Sequence, residues 1–300
     1  CNISIGQNTM QGTTTAADNT GHTNIALGHS ALYYQKDGDY NIALGSQALY
    51  GAAAGTTGSN NFAGGYKAGF SLTSGAYNVL IGTGAGDAIT SGSNLIAIGC
   101  GALSAEDTNT NGSIAIGQDA LAVQNTTGLG NVAIGKNAGQ SVTTGGENTF
   151  LGYSAGSGLT GSSNVSIGTL TLTASSSGTD NVVVGQDAAR NNTGSQNTII
   201  GQAAGDASGD GTGNTFIGKS SGGAVTDGDN NTFLGKYSGD AVTTGCCNVI
   251  IGKGADVASA TGNNQLAIGI DSNNWITGDS SYNTTVNDIS ASNFNSTSDI

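Results

Sequence analysis

Proline is absent from all 300 residues, and only 9% of the side chains are charged. A chain without proline keeps every backbone N–H available for β-ladders, where proline removes a donor. Bases are scarce: seven Lys and Arg stand against 20 acids, a net charge of −13. That balance supplies no basic surface for phosphates and excludes a nucleic-acid partner. No apolar run approaches the roughly 18 residues of a membrane span, so no membrane insertion is expected. No basic and apolar leader opens the chain. The four cysteines (Cys1, Cys100, Cys246 and Cys247) share no zinc-type spacing, and the adjacent Cys246–Cys247 pair is poorly placed to bridge within one chain. Free thiols are the expectation. Glycine-rich stretches lack the Gly-Lys-Ser/Thr ending of a phosphate loop, and the calcium-binding nonapeptide is missing. No cofactor is implied.

Glycine is abundant instead, at 52 residues, and it is periodic. Asn131-Val-Ala-Ile-Gly135-Lys-Asn-Ala-Gly139 recurs in variant form about every 17 residues, as in Asn148-Thr-Phe-Leu-Gly152, Asn214-Thr-Phe-Ile-Gly218 and Asn248-Val-Ile-Ile-Gly252. The motif glycines run from Gly6 to Gly269 in sixteen copies. The first copy stands one residue behind Cys1, so the array is expected to begin upstream of it. A fixed period of this length specifies a solenoid whose units stack on their neighbours. Two longer steps, Gly6 to Gly28 and Gly45 to Gly65, predict loops at Thr13–Ala17 and Ala52–Gly55. With the motif Asn as position zero, positions +1 and +3 are mostly aliphatic and share one strand face, while +2 lies on the other. Position +7 is usually Ala, and a Thr/Ser/Gly corner leads to the next Asn. The pattern predicts an all-β, parallel β-roll with two strands per turn, about 16 coils and a rod of about 75 Å. Asn side chains at equivalent corners are expected to form ladders.

Position +2 is also apolar, so the strand is apolar on both faces and calls for burial of both. A thin coil buries one face by itself. The expectation is a homotrimer whose seam is built from the +2 residues Phe150, Val183, Ile199, Phe216, Phe233 and Ile250.

These Asn-x-x-Ile-Gly repeats resemble the head repeats of trimeric autotransporter adhesins, and more closely the Asn-Thr-x-Ile-Gly-x-x-Ala-Gly repeats of bacteriophage tail fibres. The resemblance covers residues 2 to 270; the adhesin period is shorter than the one here. It implies a trimeric, extracellular fibre on a virion or cell surface that attaches to a host glycan or protein receptor. Residues 1–270 form the repetitive shaft, and 271–300 a non-repeat extension opened by Trp275. That extension is similar to the junction with a self-cleaving intramolecular chaperone, with Ser298 and Asp299 as the candidate processing pair.

Chemistry is sparse. A polysaccharide depolymerase, the alternative of another class, needs two carboxylates about 5 to 10 Å apart. Asp227 and Asp229 are the densest pair in the repeats, and turn chemistry accounts for them. His22 and His29 flank one strand and lack the further ligands of a metal site. Lys219, Lys236 and Lys253 follow the motif Gly on successive coils. They form a candidate anion- or glycan-facing ladder with a spacing of roughly 5 Å.

Overall fold

The computed structural model describes residues 1–12, 20–105, 112–124, 130–174 and 177–287. Sixteen strands, from β1 (Ile3–Ile5) to β16 (Leu266–Ile270), stack in chain order as one parallel β-solenoid. Registry is one for one: Thr215, Phe216 and Ile217 lie beside Thr232, Phe233 and Leu234. Each coil contributes one strand, at positions +1 to +3, and not the two expected. Turns complete the circuit. They place left-handed residues at positions −1, +6 and +8, as at Glu147, Ser154 and Gly156. Position +4 is glycine at a φ near 135°, illustrated by Gly185. A Cβ there would lie 2.5 Å from the Gly201 carbonyl oxygen of the next coil, so the coils close only on a column of glycines. Of the two expected loops, Ala53 and Ala54 are exposed at the first turn-out beyond Gly51. Thr13–Ala17 lies outside the described residues.

The strand faces are reversed from the sequence expectation. Phe150, Val183, Ile199, Phe216, Phe233 and Ile250 are fully buried within the coil of a single chain. They therefore cannot form a seam with a partner, and the outward face is that of +1 and +3. The reason is the neighbouring wall. A side chain at +2 meets positions +7, +8 and +11 across a narrow interior, and those residues share its volume. Ala26, Ala43, Ala97 and Ala115 accompany the buried Leu32, Leu49, Leu103 and Leu121 at +8. Phe150, Phe216 and Phe233 accompany Gly156, Gly222 and Gly239. A Cβ on Gly222 would come within 2.8 Å of the Phe216 ring. In these coils small residues on one wall answer large ones on the other; where both are small, at Ala63 with Gly69 and Ala133 with Gly139, the large side chains of the neighbouring coils fill the space, Leu49 and Leu80 at the first and Leu121 and Phe150 at the second. Phe216 and Phe233 stack at 5.0 Å between ring centroids.

The motif asparagines are interior as well. Asn214, Asn231 and Asn248 are almost wholly buried. The backbone N–H of Asn231 donates to Oδ1 of Asn214 at 2.9 Å, and that of Asn248 to Oδ1 of Asn231 at 2.9 Å. Nδ2 of Asn231 donates to the Gly245 carbonyl at 2.9 Å. Each amide thus satisfies two backbone groups of the next coil, the condition for burying a polar group at low cost. The expected ladder exists, but inside the coil and through the main chain. It runs from Asn2 to Leu95, where the side chain has no acceptor, and the same bonds run from Asn131 to Gln265.

The buried core falls into two clusters, one from Ala26 to Leu159 and one from Leu172 to Ala267. Between them, Ser166 replaces the apolar +2 residue and its hydroxyl pairs with Thr171 at 2.6 Å. After β16 the direction reverses. β17 (Asn273–Gly278) pairs antiparallel with β16, and β18 (Thr284–Val286) pairs antiparallel with β17.

Candidate functional site

Alternation puts +1 and +3 outside, so the strand stack presents two ranks of side chains along the rod. The +3 rank includes Leu27, Ile81, Ile134, Leu151, Ile200 and Leu234, all exposed. The +1 rank runs through Ile25, Ile42, Phe62, Val79 and Ile96, then Thr149, Val165, Thr198, Thr215, Thr232 and Val249. At about 4.8 Å per strand the strip extends for about 75 Å. With a width of about 10 Å its area is on the order of 700 Å², broken in the +1 rank by Thr149, Thr198, Thr215 and Thr232, on the scale of the 300–600 Å² typical of the largest apolar patch on a monomer. Sequence reasoning found these residues and assigned them the wrong direction. The signal that fixes it is the reciprocal volume at +2 and +8.

The three lysines are exposed and stand in register. The backbone N–H of Tyr237 donates to the Lys219 carbonyl at 2.9 Å, and that of Gly254 to the Lys236 carbonyl at 2.8 Å. Their side chains diverge in use. Lys253 Nζ bonds both carboxylate oxygens of Asp271 at 2.9 Å, and Lys236 Nζ lies 4.8 Å from the centre of the Tyr237 ring.

His22 and Asp39 approach to 3.6 Å, both exposed. No cluster of three or more metal-ligating side chains occurs among the described residues. Asp227 accepts from the Thr226 hydroxyl at 3.0 Å, and Asp229 from the Thr212 N–H at 2.8 Å, as turn residues do. The four cysteines are free thiols; Cys246 is half-buried and the others are exposed. Ser298 and Asp299 lie outside the described residues. Among those residues no helix is long and apolar enough to cross a membrane.

Two features were not legible as sites. Tyr33, Tyr50 and Phe70 stack on successive coils with centroids 4.9 Å apart, and Tyr34 packs edge-on beside the first two. Loss of solvent raises the Tyr50 phenol, with Tyr34 and Tyr33 adding to it. At the other end, clefts open where β17 folds back over the last coil. One of 540 Å³ lies beside Trp275, and another of 450 Å³ is lined in part by Asp256 and Asp271. Burial raises the Asp256 carboxyl, against the lowering effect of N–H donors from Ala241 and Val257.

The fold and the surface define a parallel β-solenoid repeat protein with a long apolar outer strip. No protein-family model matches the chain, and comparisons with curated proteins and with solved structures find no match.

Proposed function

We propose that this chain is a non-enzymatic structural protein, a homotrimeric fibre of the phage tail-fibre kind that attaches to a host surface. The observation that carries the reading is the outer strip of +1 and +3 residues. An area on the order of 700 Å² approaches the ~800 Å² per partner of a standard stable interface. Its uniform registry lets a second copy match it strand for strand, and three chains around an axis cover it symmetrically. Such a fibre works mechanically: three copies present the same binding surface, and linkage multiplies weak contacts into avidity. Its setting is extracellular, on a virion, or on a cell surface if the chain is an adhesin.

The lysine rank is the candidate anion-facing part of that surface, with Lys219 and Lys236 as its unbridged members. Depolymerase activity requires a pair of carboxylates beside a cleft. Asp256 and Asp271 share one, but Asp271 is clamped by Lys253 and Asp256 by two backbone N–H groups.

Light scattering after size exclusion tests the assembly. The native chain is expected at three times its 29.2 kDa mass. Ile134→Lys combined with Ile200→Lys is expected to give a monomer with unchanged circular dichroism. A native monomer at micromolar concentration, or a variant that stays trimeric, overturns the reading. Oligosaccharide release from host capsule would replace it with the depolymerase.

A further inference from the structure

The regular solenoid ends at a local irregularity. Along the β16–β17 pair, Ile268 faces Ile276 while the next residue, Gly269, faces Asn274. Trp275 is the extra residue, left without a partner in β16. Such a bulge bends the strand and re-aims the side chain it carries. Trp275 is the sole tryptophan of the chain, and it is 54% exposed.

The backbone beneath it is held firmly. The Trp275 carbonyl accepts from the Asn287 N–H at 2.8 Å, and Asn287 Nδ2 donates to the Asn274 carbonyl at 2.7 Å. Asn274 Nδ2 donates in turn to the Asp256 carbonyl at 2.9 Å, which ties the strand to the last coil. The indole therefore stands on a platform that loses little freedom when something binds. Beside it, Ser272, Asn273 and Thr277 line the 540 Å³ cleft. Ser272 and Asn273 are exposed.

We propose that Trp275 and this cleft form a binding site for a neutral saccharide chain. An exposed indole offers a flat apolar face to the C–H side of a sugar ring and an N–H at its edge. Amides and hydroxyls beside it supply the few oriented polar groups that fix a polar ligand. Charge selects the class. Asp271 of the adjoining cleft is bridged to Lys253, and Asp256 adds a further acid to that cleft. The lining of the Trp275 cleft is itself uncharged, so a sulfated or uronic sugar finds no base there and faces the acids of the adjoining cleft.

The site rests on the attachment reading and names its ligand class. Because Trp275 is the only indole, its fluorescence reports on this position alone. Intact protein is titrated with maltohexaose, mannohexaose and a galactan hexamer, alongside uronic and sulfated counterparts. A saturable blue shift and protection from acrylamide quenching are expected with at least one neutral sugar. Retention on the corresponding polysaccharide is expected to weaken at least tenfold in Trp275→Ala and to recover in part in Trp275→Tyr. If no neutral sugar alters the emission, the site is wrong. Quenching protection already present without sugar means that a second copy covers the indole, and this too overturns it. Host-surface binding that survives Trp275→Ala removes the site and leaves attachment standing. An intact fibre that binds no host surface removes the attachment reading, while the titration still decides the site.

Discussion

Exchanging one kind of coil for the other tests the packing rule directly. Phe233 fills its coil against Gly239, where a Cβ would sit 2.5 Å from the ring. Phe233→Ala empties that space, a change that costs about 3–5 kcal/mol in cores. Gly239→Leu alone forces a branched side chain into an occupied volume, at about 1–3 kcal/mol. It also puts a non-glycine residue at a φ of 63°, adding roughly 1–2 kcal/mol. In the double variant the leucine enters the space the phenyl vacates. Coils of that composition already exist: Ala26 with Leu32 and Ala43 with Leu49, the leucines at φ of 48° and 47°. The double variant should therefore lose about 2–3 kcal/mol less than the sum of the singles, at the upper end of the usual coupling between touching residues. Part of the loss remains: about 0.5–1.5 kcal/mol because the stacking on Phe216 is gone, and roughly 1–2 kcal/mol because the left-handed dihedral at residue 239 persists. Urea denaturation followed by circular dichroism gives the four stabilities. A double variant as unstable as the two singles added together refutes the reciprocal-volume argument.

Three further outcomes follow from the same contacts. Asn231→Ala strands the N–H of Asn248 and the carbonyl of Gly245, and is expected to cost on the order of 2–4 kcal/mol in the same denaturation assay; a loss under about 1 kcal/mol contradicts the ladder's role. Gly185→Ala imposes strain of about 1–3 kcal/mol from the dihedral alone, before its contact with Gly201, and limited proteolysis should open that coil first; wild-type resistance there argues against the glycine column. Burial raises the Asp256 carboxyl in the folded chain. The last coil is then expected to lose stability as pH rises from the ordinary carboxylate value through the raised one, and to level off above it. Local melting read by Trp275 emission should show this slope and lose it in Asp256→Asn; an unchanged slope places the titrating group elsewhere.

The period, the sixteen strands and their parallel stacking were readable because each Asn-x-x-Ile-Gly copy repeats the same spacing. Direction was not. Alternation states that +2 opposes +1 and +3, yet Phe216 and Ile217 are both apolar, and no rule of periodicity chooses between them. The choice lies in a correlation across the coil, Phe216 with Gly222 and Ala26 with Leu32, which appears only once the +8 residue is known to cross from the strand. The second strand of each coil was expected from Ala at +7, but left-handed residues on either side of that alanine curl the chain into turns. Trp275 was seen as the end of the repeat; its exposure depends on a one-residue mismatch between β16 and β17 that no local pattern announces.

The two interruptions in the rod fall at different heights. The asparagine ladder lapses at Leu95, where the apolar filling continues without a break from Ala26 to Leu159. The filling is parted around Ser166, where Asn148, Asn164 and Asn181 link coil to coil without a gap. The joints are staggered, as courses of brick are. Tension or bending that finds the weak level of one system meets the sound level of the other. A rod built this way does not have both systems interrupted at one storey.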